Sequence, residues 1–318
     1  MFQQTFKNFH INFNAVNVRN IYTSGDVLSG HVSFDLSKET KITSISLTLS
    51  GKASVHWSKG GGGGRRRSRR RNYSAKLKFF EFSFSILQEN RQSSETKLLP
   101  GTHLYPFSCQ LPQGDFPSSF HGVHGHIVYS LTVSISRPWH LSKDFVTEIN
   151  YVNHINANQP QLWSPLSGSN HMTLCCLWCA SGPILLTAQM EKKVFNPGET
   201  VKITCKFSNA SSRTATPKVT LQQKQIFYTH SRASKRLVVK QLASVVGQPV
   251  RPHVSDVHTE ITLTVPSTAA FTISNCSILE VDYVIEVNLC VKASPDLTVL
   301  FPIILCDTPE YARPPPVL

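Results

Sequence analysis

Apolar and polar residues alternate with a period of two along most of the chain. Ile45, Leu47 and Leu49 alternate with Ser46, Thr48 and Ser50, and Phe80, Phe82, Phe84 and Ile86 alternate with Glu81, Ser83 and Ser85. Ile127, Tyr129, Leu131, Val133 and Ile135 make one apolar row, with Ser130, Thr132 and Ser134 opposite. The later half repeats the habit in Val201, Ile203, Cys205 and Phe207, in Ile261, Leu263 and Val265, and from Val281 to Leu289. Successive side chains of a strand point to opposite faces, so each run places one face on a core and the other in water. That is the pattern of antiparallel sheets. No long stretch carries a helical period with caps, and the predicted class is all-β.

Turn signals punctuate the runs: Ser24-Gly25-Asp26, Leu99-Pro100-Gly101, Pro112-Gln113-Gly114-Asp115 and Asn196-Pro197-Gly198-Glu199. Short strands at such spacing predict immunoglobulin-like sandwiches rather than βαβ units. The halves also echo one another. Tyr22 to Val27 and Phe195 to Val201 each run from an aromatic through a turn with Gly and an acid into a strand. Leu111-Pro112 precedes the strand through Tyr129, and Val265-Pro266 precedes the strand through Tyr283, both with an offset of 154 residues. A duplicated sandwich fits this spacing. The segment 153–170, rich in Asn, Pro, Gln and Ser, reads as a linker.

Length agrees, since 318 residues exceed one small domain and 40% hydrophobic content supplies real cores. The net charge of +13 invites a nucleic-acid or membrane-surface reading, yet six of the charges lie in Arg65 to Arg67 and Arg69 to Arg71. Only that cluster needs explaining. It follows the glycines Gly60 to Gly64, so the stretch 59–72 reads as a protruding loop between strands. Six guanidiniums repel one another unless an anion neutralises them. Anionic phospholipid headgroups are one candidate anion. RNA, a nuclear-import receptor, or water around a solvated insertion are the others. Single-strand binders pair basic grooves with stacking aromatics, and only Tyr73 is adjacent, so nucleic acid is not expected.

The eight cysteines fall largely within predicted strands, where free Cys behaves as a small hydrophobe. Met1 to Asn14 carry no apolar core of the signal-peptide kind, and reduced thiols in the cytosol are the expectation. Cys175, Cys176 and Cys179 with His171 could be read as zinc ligands, but no second ligand pair is present, so no metal is expected. The cysteines read as small core residues of a strand, with palmitoylation a third option. His121, His124 and His126 cluster in what reads as a solvated hairpin loop. No G-x-S-x-G, H-E-x-x-H or C-x-x-C-H spacing occurs, so neither an active site nor a cofactor is expected. Trp139, after Arg137-Pro138, is expected to pack at the domain junction.

Several blocks resemble the α-arrestins, the arrestin-domain-containing proteins related to the thioredoxin-interacting protein. Tyr22 to Gly30 looks like their first hairpin, and Pro100-Gly101-Thr102-His103-Leu104-Tyr105-Pro106-Phe107 resembles their G-x-H-x-Y-P-F strand. Pro117-Ser118-Ser119-Phe120 through Gly125 and Tyr129 to Arg137-Pro138-Trp139 is similar to their P-S-S-F…G…Y…R-P-W block. Cys175 to Ile184 resembles the opening of their second domain, and Phe195 to Arg213 its next hairpin. Five such blocks in order span nearly the whole chain.

The resemblance implies an arrestin-like N-terminal domain over 1–152, a C-terminal domain over 171–307 and a short Pro-rich tail over 308–318. It further implies a scaffold that brings HECT-type ubiquitin ligases to cytoplasmic tails of receptors or transporters during endocytosis and endosomal sorting. The expected place is the cytoplasm, peripheral at plasma membrane and endosomes, and another arrestin is a further possible partner. Family tails dock on WW domains through P-P-x-Y motifs. Here the tail holds only Pro309 before Tyr311, and Pro314, Pro315 and Pro316 before Val317. A WW groove needs proline rings on its aromatics and a Tyr in a second pocket, so both are degenerate ligands. The competing function is an anion- or nucleic-acid-binding sandwich acting through Arg65 to Arg71.

Overall fold

The computed structural model describes all residues except 1–4, 18, 61–69, 89–95, 155–158, 177–178, 293 and 308–318, with backbone alone at 174–176 and 179–181. Eleven strands come first: β1 (Phe6–Phe13), β2 (Ile21–Tyr22), β3 (Val27–Leu36), β4 (Thr40–Ile42), β5 (Ser44–Lys59), β6 (Arg71–Gln88), β7 (Thr96–Leu98), β8 (Gly101–Gln110), β9 (Phe120–His121), β10 (Gly125–Ser136) and β11 (Lys143–Tyr151). After a 3₁₀ turn at Pro160–Leu162 follow β12 (Leu166–Cys176), β13 (Cys179–Met190), β14 (Val194–Phe195), β15 (Thr200–Asn209), β16 (Ala215–Tyr228), β17 (Lys235–Val246), β18 (Val254–Thr264), β19 (Leu279–Val291) and β20 (Leu297–Leu305). The all-β prediction holds.

The strands form two compact units. The first is built on the chain up to Asn153, with Tyr228–Ser234 and Asn275–Ile278, and the second on the remainder. In the first, a three-stranded sheet β1-β3-β8 accompanies a larger sheet β2-β11-β10-β5-β6, with β9 beside β10 and a small β4-β7 pair. In the second, the sheets run β12-β13-β15-β18 and β14-β20-β19-β16-β17.

The alternating runs supply the cores. Ile127, Tyr129, Leu131, Val133 and Ile135 on β10 are wholly buried, as are Val201, Ile203, Cys205 and Phe207 on β15 and Val281, Ile285, Val287 and Leu289 on β19. The β6 run departs from its prediction. Phe82 pairs with Leu49 in the same unbroken register as the buried Phe80, yet it is half-exposed on the terminal strand of its sheet, its ring 5.7 Å from that of Phe80. An edge strand has no neighbour to cover its far side. The presumed linker also differs, because Leu166 to Asn170 already pair with β13 from Met190 back to Leu186. Gly168 occupies an inward position there and leaves no apolar signal to read.

The duplication is visible at atomic level. In each unit a turn is tied by an acid: Asp26 accepts from the Thr23 amide at 2.8 Å, and Glu199 from the Asn196 amide at 2.9 Å. Gly25 and Gly198 take φ of 82° and 88°, where a Cβ would be strained. Two-residue strands then pair in parallel at corresponding places, β2 with β11 and β14 with β20. A buried tyrosine on the central strand finally ties back to an upstream carbonyl. Tyr129 donates to Pro117 at 2.6 Å, and Tyr283 donates to Ala270 at 2.6 Å. Burial pushes both hydroxyls up, Tyr283 to about 12, so they stay protonated donors at neutral pH.

Removing the hydroxyl strands a buried carbonyl, which costs about 1–3 kcal/mol. Tyr129→Phe is expected to lower stability by that amount in urea denaturation. Tyr283→Phe is expected to cost a similar amount, because Tyr283 also accepts from the buried Gln223 Nε2 at 2.6 Å, which would lose this partner, while the Ala270 carbonyl is only part-buried. Burial likewise raises the thiols of Cys205 to about 11 and Cys306 to about 12 from an ordinary 9.0. At neutral pH their thiolate fraction is therefore negligible, and alkylation of both by iodoacetamide, read by mass spectrometry, should proceed only as urea unfolds the chain.

Candidate functional site

A sandwich closes its faces but leaves its edges open, and an open edge offers unpaired N–H and C=O groups. In the first unit β1 has β3 as its one sheet neighbour. The Asn14 amide donates to the Ser29 carbonyl at 2.9 Å, and Asn12 and His10 stand two and four residues away opposite His31 and Ser33. By the alternation of an antiparallel ladder, Ile11 and Phe13 therefore direct their backbone groups away from β3. A bulge between Lys7 and His10, with Asn8 at φ 50°, interrupts the strand before that stretch.

The strand β11 is similarly open, since β2 pairs with only Asn150 and Tyr151. Phe9 of β1 stacks on Phe145 of β11, centroids 3.6 Å apart and planes 11° from parallel. Beyond that stack lies a cleft of about 430 Å³, lined by Ile11, Phe13 and Tyr22 with the polar Asn20, Thr147 and Glu148. An outward backbone edge beside a mixed apolar and polar cleft can hold an extended peptide. The main chain would pair with the edge, and alternate side chains would enter the cleft. Sequence reasoning missed these residues, because edge status depends on pairing between distant segments.

In the second unit β17 is the terminal strand of its sheet and carries Leu237, Val239 and Val246 exposed among Lys235, Arg236 and Lys240. Interspersed Lys and Arg are a common protection of an edge against indiscriminate pairing.

The sequence-predicted sites are distributed as follows. Arg65, Arg66, Arg67 and Arg69 lie outside the described residues, as do Pro309, Tyr311, Pro314, Pro315 and Pro316. Arg70 donates to Ser58 Oγ at 2.7 Å, and Arg71 opens β6 opposite Lys59. The Arg run thus connects β5 and β6, a pair stiffened near its end by Trp57 stacked on Tyr73 at 5.3 Å. The side chains of Cys175, Cys176 and Cys179 are not described, and His171 is exposed. Among the described residues no trio of His, Cys, Asp or Glu is placed to hold a metal ion.

The histidine turn is more ordered than expected, because Phe120–His121 forms β9 and pairs with His126 and Ile127. His121 stands 3.3 Å from Glu148, and His126 hydrogen-bonds Ser54 at 2.9 Å. The expectation for Trp139 is overturned. Its side chain is fully exposed, because the turn after Pro138 carries it outward.

Comparison with known proteins agrees with this geometry. Residues 9–158 match the model described as "Arrestin (or S-antigen), N-terminal domain", and residues 180–310 match "Arrestin (or S-antigen), C-terminal domain". The chain is similar to arrestin domain-containing protein 4 of Mus musculus, 26% identical over 289 residues, covering 91% of this chain and 69% of that protein. It is 23% identical over 303 residues to the thioredoxin-interacting protein of Homo sapiens, covering 94% of this chain and 74% of that one. With two tandem sandwiches, a duplicated turn and tyrosine tie in each, and both arrestin models matched in order, the chain belongs to the arrestin family, among the α-arrestins.

Proposed function

We propose that this protein is a non-enzymatic adaptor that captures an extended cytoplasmic segment of a membrane receptor or transporter and presents it to ubiquitin-ligase machinery during endocytic sorting. The observation that carries the reading is the outward edge of β1 at Ile11 and Phe13, running beside the cleft against β11. Edge pairing supplies affinity with little demand on sequence, which suits a protein serving several cargoes. The family supports the rest: adaptors of this kind bind and position rather than transform. Burial raises the thiols of Cys109 and Cys205 to about 11 and that of Cys306 to about 12, which disfavours the thiolate a nucleophilic mechanism would need there.

The ligase-facing half of the function is placed on the tail, where Pro309 and Tyr311 and the run Pro314 to Pro316 offer partial WW-domain ligands. Arg65 to Arg71, carried on the connection between β5 and β6, adds attraction to anionic phospholipids and keeps the adaptor close to its cargo.

Ile11→Pro removes a donor from the outer side of β1 while sparing the alternate residues that pair with β3. It is expected to weaken binding of receptor-tail peptides by about tenfold in fluorescence anisotropy, with far-ultraviolet circular dichroism unchanged. Undiminished binding would remove β1 as the cargo edge. For the tail, pull-downs from cells with and without residues 307–318 should differ in HECT-type ligases and agree in receptors. Ribonucleoproteins as the main captured species would favour an anion-binding role for the Arg run instead.

A further inference from the structure

The loop joining β10 to β11 carries the two most exposed large apolar side chains among the described residues. Trp139 is 101% and Leu141 92% exposed, whereas the next, Leu99, reaches 66%. Single apolar residues on a surface are ordinary, so exposure alone decides nothing. The backbone beneath them is more telling. The His140 amide donates to the Arg137 carbonyl at 3.3 Å, closing a turn with Pro138 in its second position and Trp139 at φ 59° in its third. That third position favours glycine, and a bulky aromatic is held there under strain. His140 Nδ1 lies 2.7 Å from the Pro138 carbonyl, and the Ser136 and Ser142 hydroxyls meet at 2.9 Å across the base. Trp139 is thus fixed outward by a braced turn in which glycine would fit more comfortably.

Beside the tip lies a hollow of about 330 Å³ whose lining includes Lys38, Lys41, Arg137 and His140. Its one acid, Glu39, faces Lys97 at 3.7 Å, and the nearby Asp144 accepts from Ser134 at 2.7 Å. Lys143 adds a further cation at the foot of the loop, over the Phe145 ring at 5.6 Å. An apolar tip that projects rather than recedes, ringed by cations, is complementary to one kind of surface: a bilayer with anionic headgroups. Trp favours the headgroup layer, and Lys and Arg meet the phosphates around it. A peptide ligand would call for a concave apolar site instead.

We propose that residues 138–142 form an interfacial anchor, with Trp139 and Leu141 entering the headgroup layer of an anionic membrane while Lys38 and Lys41 contact lipid phosphates. The proposal adds a lipid contact distinct from the Arg65–Arg71 run and from the β1 edge. Its test contains no cargo, so a negative result leaves cargo capture standing.

The test is flotation of the full chain with phosphatidylcholine vesicles, with and without phosphatidylserine, alongside tryptophan emission. The parent protein should float with the phosphatidylserine vesicles and shift its emission to the blue. Trp139→Gly should melt no lower than the parent, since glycine accepts the positive φ, yet bind roughly tenfold more weakly and lose the shift. Lys38→Ser with Lys41→Ser should weaken binding by roughly tenfold and flatten its salt dependence. Replacing Arg65, Arg66, Arg67, Arg69, Arg70 and Arg71 by Ser should leave the blue shift in place. Equal flotation of Trp139→Gly and parent overturns the proposal, as does an emission that vesicles do not alter. A shift on adding a receptor-tail peptide but not vesicles assigns the tip to a protein partner and overturns it equally.

Discussion

In each sandwich one hydrogen bond ties an upstream segment to the core, from the hydroxyl of a buried central-strand tyrosine to a carbonyl upstream. Tyr129 reaches Pro117 and Tyr283 reaches Ala270, both at 2.6 Å. The upstream segment is irregular backbone brought against the core, and its carbonyl is buried at Pro117 and partly buried at Ala270. A buried acceptor left alone is expensive, so the tyrosine dictates where that segment lies. Around each tie the same parts recur: the aromatic of a two-residue parallel strand, an acid-tied turn and a left-handed glycine. These polar constraints complement the apolar rows, which drive burial without naming a unique path for the loops.

Sandwiches whose interiors are filled by apolar rows leave function to what lies outside. The interior of the first unit is spent on the β10 row and its tyrosine, and the second on β15, β16 and β19. What remains available is backbone at the edges and side chains at the loop tips. The outward groups of Ile11 and Phe13, the cleft beside β11, the basic connection between β5 and β6 and the Trp139 turn are all of that kind. Among the described residues these are the features the proposed adaptor role draws on. The proposed recognition through edges and tips is compatible with this architecture.

The fold was readable because the period-two signal is local. Each residue of the β10 row announces its face through its immediate neighbours, and the paired turns announce the duplication. Features set by distant partners were not readable. Leu166 to Asn170 looked like a linker because Gly168 stands where an apolar residue would mark the inward face, and only the ladder to β13 reveals a strand. Phe82 looked buried because alternation cannot show that β6 is an edge. Trp139 looked like a residue packed at the domain junction because a tryptophan seldom stands alone in water. Its exposure follows from a turn geometry that the sequence hints at only through Pro138. The edge residues of β1 carried no signal at all, since pairing partners are absent from a one-dimensional pattern.

Amide hydrogen exchange on the full chain, with and without a saturating receptor-tail peptide, tests the central claim most directly. Two slow cores centred on Tyr129 and Tyr283 are expected in the free protein, with Ile11 and Phe13 exchanging fast and then becoming protected when the peptide is added. A single slow core, or protection on binding that falls on buried strands and leaves β1 unchanged, would contradict the account of paired rigid sandwiches that recognise cargo at an open edge.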